Sequence, residues 1–107
     1  MLMYYDARPT SWNGMFNTDL PCECLKGYYP FLMFSKLYVM DTEIQTLSSD
    51  PDVYVCGAKK GADMALMIAH YNEVEGEEKE VEISLENWKN TGKSLCVYML
   101  DKDRDTT

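Results

Sequence analysis

Six residues near the start of the chain, Tyr4, Tyr5, Asp6, Arg8, Trp12 and Asn13, combine flat aromatic faces with planar hydrogen-bonding groups. Sugars are bound by such sets. Their C–H faces stack on aromatic rings, while carboxylate, guanidinium and amide groups take the hydroxyls. Asp6, Arg8, Trp12 and Asn13 are therefore the candidate sugar-binding residues. Composition alone favours a plainer arrangement, in which Asp6 pairs with Arg8 and Trp12 simply packs.

The other reactive side chains carry less. His70 is the single histidine and lies in an apolar stretch beside Tyr71, with no serine or cysteine nucleophile next to it in sequence. A packed or edge histidine is the expectation. The four cysteines, Cys22, Cys24, Cys56 and Cys96, follow no leader-like segment. They read as reduced thiols of a cytoplasmic protein. Cys56 and Cys96 sit in apolar runs and read as small core residues. Cys22-Glu23-Cys24 is spaced too closely for the usual zinc pair, and no second pair completes four ligands. The acidic run from Glu73 to Glu82 lacks the loop pattern that wraps calcium and reads as a solvated hairpin. Met33, Met40, Met64, Met67 and Met99 are core fillers. No cofactor or metal is called for.

A length of 107 residues gives one domain with a modest core, and the apolar share of 46% is that of a globular chain. The formal charge of -8 argues against nucleic acid and against anionic membrane surfaces. No apolar run is long enough to span a bilayer.

These groups must be positioned by the following elements. Residues 2–5 are strand-like, and residues 6–17 read as a loop punctuated by Pro9, Ser11, Asn13 and Gly14. "KGYYPFLMFSKLYVMD" has Pro30 near its start and apolar residues at helical spacing. That helix is apolar nearly all round and calls for burial on more than one side. "TEIQTLS" alternates weakly. "VYVCGAK" is a strand, "KKGA" a tight turn, and "DMALMIAHYN" reads as a central strand, being apolar on both faces. "KEVEISLE" alternates cleanly, with Val81, Ile83 and Leu85 inward, and "SLCVYMLD" is another strand. The tail "KDRDTT" is polar and frays, with Asp101, Asp103 and Asp105 compensated by neighbouring cations. The fold class is mainly β with one helix: an antiparallel sheet or partial β-sandwich packed against an N-terminal helix.

The ordered segments "LMYYDARPTSWNGMFNTD", "LKGYYPFLMFSKLY" and "DVYVCGAKKGADMALMIAHYN" resemble the C-terminal end of bacterial (β/α)8-barrel glycoside hydrolases, especially β-xylosidase-like members similar to family 39. The resemblance implies that the Tyr-Tyr-Asp-Ala-Arg segment is the eighth barrel strand. The Trp-Asn-Gly loop would then lie at the barrel mouth, where such active sites gather. It also implies a division into residues 1–41, a remnant of the last barrel strand, loop and helix, and residues 42–107, an accessory β-sandwich.

Retaining enzymes of this kind need two carboxylic acids about 5 Å apart. The family carries them on earlier barrel strands, and Asp6 matches neither. The isolated chain is therefore expected to be non-catalytic, a structural support whose partner is the missing barrel. Asp6, Arg8, Trp12 and Asn13 would at most line the sugar pocket of the whole enzyme. The alternative is a free-standing carbohydrate-binding or protein-interaction module. Self-association through the apolar helix is expected wherever the barrel is absent.

Overall fold

A computed structural model describes residues 3, 14–17, 23–74, 76, 78–88, 92 and 94–104 of the chain. A 3-10 turn, Lys26–Tyr28, runs straight into α1, Tyr29–Tyr38, the one α-helix among the described residues. Pro30 occupies the first turn, where its missing N–H removes no helical bond. At the other end the Val39 N–H reaches the Ser35 carbonyl at 3.3 Å and the Met40 N–H reaches that of Leu37 at 3.0 Å. Before the helix, residues 15–17 and 23–25 lie side by side. The Asn17 N–H donates to the Glu23 carbonyl at 2.9 Å and the Leu25 N–H to that of Met15 at 2.8 Å.

Three strands follow: β1, Thr42–Ile44; β2, Val53–Lys60; and β3, Asp63–His70. They form an antiparallel sheet in the order β1-β2-β3. Lys60 pairs with Asp63 across a two-residue turn, Gly61-Ala62. Gly61 has φ +57° while Ala62 stays at negative φ. A positive φ at the first turn position only is the II′ hairpin geometry, which suits the right-handed twist of the strands and favours glycine there.

Because side chains alternate, the register sorts the sheet into two faces. Val53, Val55, Gly57 and Lys59 share one face with their partners His70, Ile68, Leu66 and Met64, and with Ile44 of β1. Tyr54, Cys56 and Ala58 share the other with Ala69, Met67 and Ala65. The helix packs against β3 and β2. No helix residue lines the cleft on the Val55 face, which leaves the helix the face of small residues, where backbones can approach closely. Among the described residues the buried apolar side chains are Met15, Leu37, Val53 and Ala58. They come from the loop, the helix and the middle strand, with Val53 on the cleft face of β2 and Ala58 on the opposite face.

The chain is thus mainly β with one helix, an antiparallel sheet packed on an N-terminal helix, as its sequence predicts. The described residues contain one sheet.

Several expectations need correction. "DMALMIAHYN" was expected at the centre of the sheet, but β3 is an edge strand and β2 is central. It is apolar on both sides because its two faces serve a helix and a cleft, which needs no neighbour on both edges. "KEVEISLE" and "SLCVYMLD" run without regular strand pairing. Alternation specifies an extended chain with two unlike sides, but a strand also needs a free edge in register. Cys96 and Met99 are exposed rather than core residues, because their segment lies outside the sheet. Of the tail, residues 102–104 are described and form a turn with Asp101, while residues 105–107, Asp105 among them, lie outside the described residues. The Asp101 carboxylate accepts the amides of Asp103 (2.9 Å) and Arg104 (2.7 Å) and pairs with the Arg104 guanidinium at 2.7 Å. That turn presents the Asp101 and Lys102 carbonyls to the Lys26 ammonium, the first at 2.6 Å.

The helix was expected to bury more than one side. Leu37 is buried, while Tyr38 is 82% exposed and Val39, just past the helix end, 65%. Phe34 is exposed as well. Residues 29–33 are half-buried and residues 34–36 and 38 exposed, so burial falls off towards the C-terminal end of the helix.

Candidate binding cleft

The sequence-predicted sugar-binding residues Asp6, Arg8, Trp12 and Asn13 lie outside the described residues. The described residues contain a different concave site, an open cleft of about 910 Å³. Its floor is the Val55 face of the sheet, with Val53, Val55, Leu66 and Ile68 as the apolar surface. Gly57 shapes that floor. A methyl group there would stand 2.7 Å from Leu66 Cδ2 and 2.9 Å from Ile44 Cγ1. The cross-strand neighbours of the glycine therefore lean over it from both sides.

The wall is residues 79–88, a run outside the sheet that turns at Asn87, where φ is +57°. In its sequence Val81, Ile83 and Leu85 alternate with Glu80, Glu82, Ser84 and Glu86, and both sets line the cleft. Val81, Ile83 and Leu85 all remain exposed, since the cleft separates them from full packing. Trp88, half-buried, closes the wall.

The wall is tied to the floor by charge. The Lys79 ammonium lies 2.6 Å from Asp50 Oδ2. Asp50 is itself set in a turn. Its Oδ1 accepts the Asp52 amide at 2.9 Å, its carbonyl accepts the Ser48 hydroxyl at 2.9 Å, and the Tyr71 amide ties Asp52 to the sheet at 2.9 Å. The hydrogen bond from Lys79, with that from the Asp52 amide, holds the Asp50 carboxyl below its ordinary value of 3.8. The Lys79–Asp50 link is about one-third exposed at each partner. It positions the wall more than it stabilises the fold.

The cleft has the makings of a binding site, with an apolar floor, one aromatic end and a charged rim. His70, expected to be packed or at an edge, is exposed at the last position of β3, opposite Val53. Among the described residues no group of three or more His, Cys, Asp or Glu side chains is placed to hold a metal ion. Sequence reasoning missed the cleft. The one available signal was the clean alternation of residues 80–86, which marks a two-sided extended run but cannot reveal that the run stands off the sheet.

No protein-family model matches the chain, and no curated protein or solved structure shows significant similarity to it. No helix among the described residues is long and apolar enough to cross a membrane.

Proposed function

We propose that the chain serves as a non-catalytic C-terminal portion of a glycoside hydrolase acting on plant-type polysaccharides or oligosaccharides, with α1 bracing the barrel against the sheet. The observation that supports this reading is the incompletely covered helix. The helix packs on β2 and β3, while Phe34 and Tyr38 stand exposed towards its C-terminal end. An apolar helix face left open in water is costly unless another body covers it. In this reading Asp6, Arg8, Trp12 and Asn13 line the sugar pocket of the whole enzyme, and the chain alone has no activity.

The test has two parts. Sequencing the gene upstream of Met1 should reveal a barrel with two catalytic carboxylates in the same frame. The isolated chain should release no reducing sugar from xylo-oligosaccharides. An in-frame stop just upstream, or hydrolysis by the isolated chain, overturns the reading.

A second reading, a free-standing carbohydrate-binding or protein-interaction module, draws on the open cleft with Trp88 at its end. Saturable binding of a sugar or protein by a chain with no upstream barrel would favour it.

A further inference from the structure

The wall of the cleft has the sequence of a strand but joins no sheet. Residues 81–85 alternate strictly in polarity, belong to no helix, turn or strand, and make no backbone hydrogen bond among the described residues. Such a run presents a row of free N–H and C=O groups, which is a template for pairing with another strand. Beside it lies an apolar floor large enough to receive the side chains of an added strand.

Charge decides what that strand can be. Glu80, Glu82 and Glu86 alternate with Val81, Ile83 and Leu85, so in an extended, paired conformation they lie on the opposite side of the wall. Antiparallel pairing with the same segment of a second copy, centred on Ile83, would set Glu80 against Glu86 at both ends. Parallel in-register pairing would set every glutamate against its twin. Like charges directly opposite are destabilising, and opposite charges contribute. The whole chain carries -8, which adds long-range repulsion between copies and attraction for a basic partner.

We propose that the cleft is a docking site for an extended segment of another polypeptide in which basic and apolar residues alternate. The partner strand pairs with residues 80–86. Its lysines or arginines lie beside Glu80, Glu82 and Glu86, and its apolar side chains enter the cleft between Val81, Ile83 and the floor at Val55 and Ile68. About seven residues, at roughly 3.4 Å each, span the wall. The site does not depend on whether the chain is joined to a barrel.

The test uses synthetic seven-residue peptides and the full chain. One peptide alternates lysine with valine. A second has the same composition with its lysines grouped together, and a third replaces lysine by glutamate. Binding is read by calorimetry on the unaltered chain and by Trp88 emission in a Trp12→Phe variant. The expected result is saturable one-to-one binding of the alternating lysine peptide, at least tenfold weaker binding of the grouped peptide, and none of the glutamate peptide. The surface variant Glu80→Lys/Glu82→Lys/Glu86→Lys should weaken binding at least tenfold with an unchanged circular dichroism spectrum. Equal binding of the alternating and grouped peptides, undiminished binding to the triple variant, no binding at all, or a dimer that forms through residues 80–86 would each overturn the proposal.

Discussion

Lys36 holds its ammonium 3.7 Å from the centre of the Tyr98 ring. Lys26, on the 3-10 turn ahead of the helix, clasps the Asp101 and Lys102 carbonyls. Two lysines on one helical stretch thereby hold residues 98–102 alongside it, although that segment joins no strand. A cation over an aromatic ring at an exposed site contributes about 0.5–1 kcal/mol. Lys36→Met keeps most of the side-chain stem and removes the charge. It should lower the free energy of unfolding by about 0.5 kcal/mol. Denaturant unfolding monitored by circular dichroism checks this, and Tyr98→Leu should give a similar loss.

Acid should loosen the cleft wall. The Asp50 carboxyl is held below 3.8 by the hydrogen bonds from Lys79 and the Asp52 amide. A carboxyl with a lowered value stabilises the folded state above its ordinary value, and that contribution disappears as pH falls through the lowered one. Asp50→Asn keeps an acceptor for the Asp52 amide but loses the charge that faces Lys79. Melting temperatures of the two proteins should differ by a constant amount near neutral pH and converge as the solution is acidified below 3.8. Because the pair is partly exposed, added salt should also shrink the difference.

The turn at Gly61 should tolerate substitution poorly. Its φ of +57° places any residue with a Cβ in the left-handed region. Gly61→Val should cost about 1–2 kcal/mol, although nothing crowds the position. Thermal unfolding would show a lower midpoint, with the helical signal of the native state unchanged.

Gly57 makes the opposite case, with an ordinary backbone and no room. Gly57→Val would force Leu66 and Ile44 apart, since even a methyl group would lie within 2.9 Å of both. Overpacking of this kind costs about 1–3 kcal/mol. The effect should reach the cleft, because both displaced side chains belong to its lining. Trp88 fluorescence and the denaturation midpoint would report the two consequences separately.

The open helix face should make the isolated chain associate. Tyr38, at 82% exposure, and Phe34 form its outward side. Phe34→Gln/Tyr38→Gln should shift sedimentation towards the monomer at high concentration without loss of helix content. Unchanged association would mean that another surface drives it.

What could be read from the sequence was local. Pro30 and the apolar spacing after it give the helix, and Gly61 between two apolar runs gives the β2–β3 hairpin, because both depend on residues close in the chain. The position of β3 at an edge was hidden, since a strand covered on both faces has the same composition whether it has one neighbour or two. The alternation of Val81, Ile83 and Leu85 with polar residues suits a strand, but pairing depends on backbone groups that are alike in every residue, and no strand forms there among the described residues. The cleft followed from that missing pairing. Asp6, Arg8, Trp12 and Asn13 lie outside the described residues, so for them the sequence remains the source of the proposal.

The short loop between β2 and β3 also bears on how the chain folds. All eight pairs of that ladder connect residues within one stretch of the chain, so closing it costs little entropy and hairpins of this type form in about 1–10 μs. β1 and the helix, whose contacts reach further along the chain, must find a surface that already exists. The β2–β3 ribbon is thus the natural folding nucleus, and lesions at Gly61 should slow refolding, whereas Lys36→Met should act mainly by hastening unfolding.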